Sequence, residues 1–250
     1  NFNMAFNRSK VLVLDKGKDI RQGNLIISEG EELYTWNMRK WVGVDPVNGD
    51  PLWELVSTDP NGNRTVTTTN SYSIATQQNV GSANPNFTGG MSNTFSFKGF
   101  SLFAFFNFVS GNQVYHSSRA LFDSDGAYYT YNSMVLADDW NRWQKAGDIA
   151  THPKPVFGGS KNSNKTSSRY LEDGSYARLR NVTFSYEVPA AFVNKFHVDN
   201  AKFFVSGDNL ITLTKFSGMD PEVALGPGGG TSSVKYPISR KVLFGINIGL

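Results

Sequence analysis

The residue types that most often do chemistry are thinly spread along this sequence. Cysteine is absent, which removes disulfide scaffolds, thiolate zinc sites, iron–sulfur clusters and thiol nucleophiles together. The three histidines, His116, His152 and His197, are far apart with no paired spacing, so spacing points to no metal or catalytic centre built on them. There is no Gly-x-Ser-x-Gly elbow and no phosphate loop. Gly226-Pro227-Gly228-Gly229-Gly230 is not followed by Lys and reads as a loop tip. Asp123-Ser124-Asp125-Gly126 opens with the acidic spacing of a calcium loop but lacks the remaining ligands and the closing Glu, so a turn is the simpler account. Asp45-Pro46-Val47-Asn48-Gly49-Asp50-Pro51 likewise reads first as a rigid turn. Glu172 and Asp173 are adjacent, and neighbours on a strand point to opposite faces, so they make no acid–base pair. No catalytic residue, metal site or cofactor is assigned, and the chain is not expected to be an enzyme.

Aromatic side chains carry the better candidates. Tyr128, Tyr129 and Tyr131 lie shortly before Trp140, Arg142 and Trp143, with Asn141 and two aspartates among them. Rings beside Asn, Asp and Arg match the apolar faces and hydroxyl edges of a sugar. The same side chains also serve to pack a long loop or to face a partner protein, and Tyr34, Trp36 and Trp41 carry the same readings. Asp138-Asp139-Trp140 reads as the start of a short helix capped by Asp.

The frame for these loops is legible as alternation, since successive strand side chains face opposite ways. Phe87, Gly89, Met91, Asn93, Phe95 and Phe97 alternate with Thr88, Gly90, Ser92, Thr94 and Ser96. Phe100, Leu102, Ala104, Phe106 and Phe108 resume the pattern after Lys98-Gly99, as in a tight hairpin. Similar runs are Val182, Phe184, Tyr186; Ala201, Phe203, Val205; and Val242, Phe244, Ile246, Ile248. Six long strands are predicted, at about 1–14, 86–97, 99–111, 170–187, 198–212 and 236–250. Several exceed the five or six residues usual in soluble proteins and match the 9–11 of a tilted membrane strand. The connection 189–197 is modest, with a helical turn at 190–194. The intervals 15–85, 112–169 and 213–235 are long. Short and long connections therefore alternate, as in outer-membrane barrels with short periplasmic turns and long extracellular loops. Charged residues are 18 % of the chain and the net charge is +3, too little to argue for a nucleic-acid partner. No apolar run is long enough for a membrane helix. The opening residues have neither a charged start nor a continuous apolar core, so the chain is read as mature or as beginning part-way through a larger protein.

Five blocks, in order, carry a family likeness. They are 43–53, with Asp45-Pro46 and Asn48-Gly49-Asp50-Pro51; 84–100, with Asn84-Pro85-Asn86-Phe87-Thr88-Gly89-Gly90; and 168–182, with Tyr170-Leu171-Glu172-Asp173-Gly174-Ser175-Tyr176 and Leu179-Arg180-Asn181-Val182. Then come 205–222, with Ser206-Gly207-Asp208-Asn209-Leu210 and Gly218-Met219-Asp220-Pro221-Glu222, and 236–240, Tyr236-Pro237-Ile238-Ser239-Arg240. In these the chain resembles the C-terminal part of SusC/RagA-type TonB-dependent outer-membrane transporters. The resemblance implies an all-β fold, six strands of an antiparallel barrel of ~22 strands filled by an N-terminal plug. It also implies a SusD-like lipoprotein lid, energy from the TonB complex, and an oligosaccharide or peptide cargo. Phe95, Phe106, Phe203, Val205, Phe244 and Ile246 would face outer-membrane lipid. Tyr128, Tyr129, Tyr131, Trp140, Arg142 and Trp143 would contact substrate or lid. Arg178 and Arg180, sharing the face of Val182 by count, would sit at the lipopolysaccharide level. Six strands cannot close such a barrel, so a fragment is implied. Barrels of this kind end in an aromatic residue, and Leu250 departs from that.

Two other readings stand beside this one. A soluble, secreted carbohydrate-binding or adhesin-like β-domain would bury its Phe-rich faces against each other. A glycan hydrolase would need two carboxylates at a suitable separation, and no such pair is evident.

Overall fold

In the computed structural model, which describes residues 1–131, 135–225, 230–232 and 235–249, six strands form one antiparallel sheet. They are β1 (Phe2–Phe6), β2 (Phe87–Phe97), β3 (Phe100–Ser110), β4 (Tyr176–Glu187), β5 (Asn200–Thr214) and β6 (Lys241–Gly249). Their spatial order is their chain order. β1 and β6 are edges, each paired on one side only among the described residues, so the sheet is open. Among the described residues no helix is long and apolar enough to cross a membrane, which says nothing about crossing by strands.

The alternation survives pairing. Phe95 opposes Leu102, Leu102 opposes Phe184, Phe184 opposes Val205 and Val205 opposes Phe244. One face of the sheet is thus a continuous band of rings and aliphatic side chains. It is uncovered: Phe95 is 63 % exposed, Phe106 37 %, Phe203 48 % and Phe244 81 %. The opposite face carries Thr94, Thr183, Ser206, Asn181 and Asp208, linked by hydrogen bonds such as Asn181 Nδ2 to Asp208 Oδ1 at 2.6 Å. It is not purely polar. Phe105 and Phe204 also stand there, and their rings lie over Gly90 and Gly245, which leave room for them.

At one end the connections are short. Lys98 and Gly99 both have positive φ, +46° and +83°, as a two-residue turn matched to strand twist requires. A β-carbon on Gly99 would lie 2.8 Å from the Glu187 carbonyl oxygen. The predicted helical turn near 190–194 is present as Ala190–Val193, continued by Asn194–Phe196.

Three expected strands are shorter than the sequence suggested. After Phe6 the alternation lapses, and Val11 exchanges backbone hydrogen bonds with Gly30 and Glu31 instead of extending β1. The chain breaks at Gly174-Ser175, so Leu171–Asp173 belongs to another sheet. β6 starts at Lys241, beyond Pro237. A further correction concerns Arg178 and Arg180. A β-bulge at Arg180 inserts one residue between Leu179 and Asn181. One extra residue reverses parity: Arg178 lies on the polar face opposite Asn107 and Thr212, away from Val182. Asn209, at φ +54°, marks the matching irregularity in β5.

The three long connections lie at the other end and fold into a common cap. The first contains a four-stranded sheet, Ile20–Gln22, Leu25–Ile27, Thr35–Arg39 and Gln77–Ser82, and a three-stranded one, Trp41–Val44, Pro51–Thr58 and Arg64–Thr69. A third sheet takes one strand from the chain just after β3 (Gln113–His116), one just before β4 (Leu171–Asp173) and one between β5 and β6 (Thr231–Ser232). Leu25, Trp36, Met38, Tyr115 and Tyr170 make the cap's apolar core. Trp36 also donates its indole N–H to the Gln113 carbonyl at 3.1 Å.

Candidate functional site

Chemistry-bearing side chains in the cap gather around Asp123 and Asp125. The segment Arg119–Phe122 is one helical turn, and Asp123 follows it. Arg119 Nη2 therefore reaches Asp123 Oδ2, four residues on, at 3.1 Å, while its Nη1 donates to Glu172 Oε1 at 2.8 Å. Arg169, held in a short 3-10 turn, donates to Asp125 and to Asp123, the latter at 3.3 Å. Arg142 Nη1 donates to Asp125 Oδ1 at 2.6 Å. His152 Nε2 lies 2.9 Å from Asp123 Oδ2, and His116 Nδ1 3.3 Å from Glu172 Oε1. Asp123, Asp125, Arg119, Arg169 and His152 are buried, so each charge needs a partner to be tolerated.

Burial alone would raise the Asp123 carboxyl. The hydrogen bond from His152 and the charges of Arg169, His152 and Arg119 outweigh it and hold the group at about 2. Glu172 shows the same balance: burial opposes, but His116, Arg119 and the Ser217 N–H and hydroxyl bring it to about 2. Both carboxylates are thus ionised and fully engaged. The acidic stretch 123–126 is neutralised by guanidiniums and hydrogen-bonded to the His152 imidazole, and among the described residues no group of His, Asp and Glu is placed to hold a metal ion.

A second tie involves the 45–50 turn. Its backbone closes through Gly49 N–H to Asp45 O at 2.8 Å and Asp45 N–H to Asp50 O at 2.8 Å. The Trp143 ring lies against Gly49 and donates to the Pro46 carbonyl at 3.0 Å. Lys161 and Lys154 reach the buried Asp50 carboxylate at 2.7 and 3.3 Å. A third tie lies at the mouth of the sheet. Arg178, 1 % exposed, meets Asp220 at 2.6 Å, and Arg180 meets Glu222 at 2.6 Å.

The six candidate contact residues divide into two groups. Trp140 packs between His152 and the Arg119 guanidinium, Trp143 covers the 45–50 turn, and Arg142 joins the ionic cluster. Tyr128, Tyr129 and Tyr131 remain exposed and line a groove of about 370 Å³ with Arg142 and Asp125. Asp138-Asp139 forms a turn, not a helix, with Trp140 N–H bonded to Ala137 O. Trp36 and Trp41 are structural: Trp41 meets Trp53 edge to face, under the Arg169 guanidinium. Gly226 to Gly229 and Leu250 lie outside the described residues.

No known family profile matches the sequence. It is nevertheless similar to two curated proteins of Formosa agariphila. TonB-dependent receptor P3 is 28 % identical over 243 residues, covering 88 % of this chain and 23 % of the relative. TonB-dependent receptor P26 is 30 % identical over 178 residues, covering 68 % of this chain and 17 % of the relative. Among solved structures, the RagAB peptide importer in its closed-closed state superposes with a TM-score of 0.80 at 26 % identity, over 99 % of this chain and 26 % of that one. The chain is a segment of a SusC/RagA-type TonB-dependent transporter. It spans about a quarter or less of the length of these relatives. Within this transporter segment, sequence reasoning missed Arg119 and Arg169 altogether and treated His116 and His152 as isolated. No local signal reveals Arg169, His116 or His152, because each lies 29 to 56 residues from the carboxylate it meets, whereas Arg119 has one in its four-residue spacing to Asp123.

Proposed function

We propose that this chain supplies C-terminal barrel strands and three extracellular loops to an energised outer-membrane importer of short nutrient oligomers, working with a SusD-like lipoprotein lid and the TonB complex. The observation that carries the reading is the two-faced sheet. Its uncovered apolar band suits hydrocarbon, and its polar face suits a wet lumen. The soluble-domain alternative needs Phe95, Phe106, Phe203 and Phe244 in a covered core, and all four are at least one-third exposed.

In this reading the ends bearing the short turns are periplasmic, and the segments near 15–85, 112–169 and 213–235 meet the outside. Phe95, Phe106, Phe203, Val205, Phe244 and Ile246 contact lipid. The likeness to a peptide importer supports peptides as cargo; oligosaccharides are the second cargo class. The cap would line the ligand chamber beneath the lid, with binding in place of chemistry as its task.

Detergent dependence tests the reading. The full transporter is expected to extract only with detergent, to co-purify with its lipoprotein partner and to support energised uptake. A cooperatively folded monomer of this chain in plain buffer would overturn it.

A further inference from the structure

The groove beside the ionic cluster has a composition the importer reading does not explain. Phe122 and three tyrosines stand in its lining: Tyr128 and Tyr131 stack at 5.6 Å between ring centroids, and Tyr129 stacks on Phe157, outside the lining, at 4.2 Å. These pairs stiffen one another, and Tyr129 remains 62 % exposed. At about 370 Å³ the space lies at the small end of ligand pockets, enough for one residue-sized group.

Arg142 is the cationic member of this groove, and Ser124 and Asp125 also line it. Its Nη1 is committed to Asp125 and to the Pro153 carbonyl at 3.2 Å. Among the described residues its Nε and Nη2 donate to nothing, and its side chain is 28 % exposed where Asp125 is 1 %. Asp125 also accepts from Arg169. Arg169 in turn reaches Asp123, so the charges of the cluster pair off, and what Arg142 offers the groove it lines is unused N–H donors rather than surplus charge. A free guanidinium edge offers two parallel N–H donors, the geometry that a carboxylate matches. Trp143 and Trp140, packed on either side in sequence, together with the backbone bond from Trp143 N–H to His152 O at 2.9 Å, fix the segment that carries it.

We propose that this groove is a subsite for a carboxylate-bearing group, clamped by the free edge of Arg142 and flanked by Tyr128, Tyr129 and Tyr131. The proposal rests on the importer reading. The carboxylate has two sources in that setting, the C-terminus of a short peptide or the uronate of an acidic sugar.

Isothermal titration of the detergent-solubilised full transporter tests it with two matched pairs of probes: the peptide Ala-Ala-Phe against its C-terminal amide, and trigalacturonate against its methyl ester. At least one acid is expected to bind ten-fold or more tightly than its neutral twin, and the pair showing the preference names the source. Arg142→Gln should abolish the preference. Tyr129→Ala, at an exposed position, should weaken acid and neutral twin alike with folding unchanged. Equal affinity within both pairs, no binding of either acid, or a preference that survives Arg142→Gln would overturn the proposal. The lipoprotein partner is scored in the same preparations: loss of acid preference with the lid still bound refutes the subsite alone, whereas absence of any lid or uptake refutes the importer reading.

Discussion

Arg119, Arg142 and Arg169 offset three carboxylates, Asp123, Asp125 and Glu172, across separate stretches of the cap. Arg169 is the least replaceable, because it serves both aspartates and its side chain is 3 % exposed. Arg169→Leu strands buried charge and should destabilise the cap by about 3–5 kcal/mol. The check is lost amide-exchange protection over 111–175 with protection in β2 to β5 retained. Acid should act on the same cluster. Asp123 and Glu172 sit at about 2 when folded, against ordinary values of 3.8 and 4.5. A lowered folded value means stability that is complete above the unfolded value and drains as pH falls toward the folded one. The cap is therefore expected to loosen between about pH 4.5 and pH 2, and these two groups contribute no change between pH 5 and 8. Tryptophan emission of the full transporter, dominated in the cap by Trp36, Trp41, Trp53, Trp140 and Trp143, would report the transition. A transition centred near neutrality would contradict it.

At the scale of elements, turn and face are the sensitive features. Gly99 holds a φ of +83° with a carbonyl close by, so Gly99→Val should cost at least the 1–2 kcal/mol of a left-handed β-carbon. A lowered urea midpoint for folding into lipid vesicles would show it. On the apolar face, Phe244→Arg should cost about 2–4 kcal/mol if the site lies near the bilayer midplane. Thr94→Arg, on the polar face, should cost little in the same titration. This layer was the most legible in the sequence. Side-chain period fixes which residues share a face, and Lys98-Gly99 names its own turn. What sequence could not supply was the bulge at Arg180. A bulge is a relation between two strands, and simple counting across it put Arg178 on the wrong side.

For the molecule as a whole, legibility fell with sequence distance. The cap's core joins Trp36 to Tyr115 and Tyr170, and nothing local to any of them announces the others. The candidate site suffered likewise: the aromatic cluster was visible as a run, but its division into packed tryptophans and open tyrosines depends on Pro46, Gly49 and His152. Pairing by contrast is between neighbours in the chain throughout the six-stranded sheet, which is why its order followed directly from the alternation.

The small sheet that draws one strand each from Gln113–His116, Leu171–Asp173 and Thr231–Ser232 ties together segments that heredity and engineering would treat as separate. A chimera that imports only the 112–169 excursion from a relative would bring a middle strand whose two neighbours were shaped for another sequence. Such single grafts should express as protease-sensitive hybrids, while joint exchange of 111–175 and 215–240, which carries all three strands, yields resistant ones. Diversification of the mouth would then proceed by wholesale replacement, with the sheet beneath left in place.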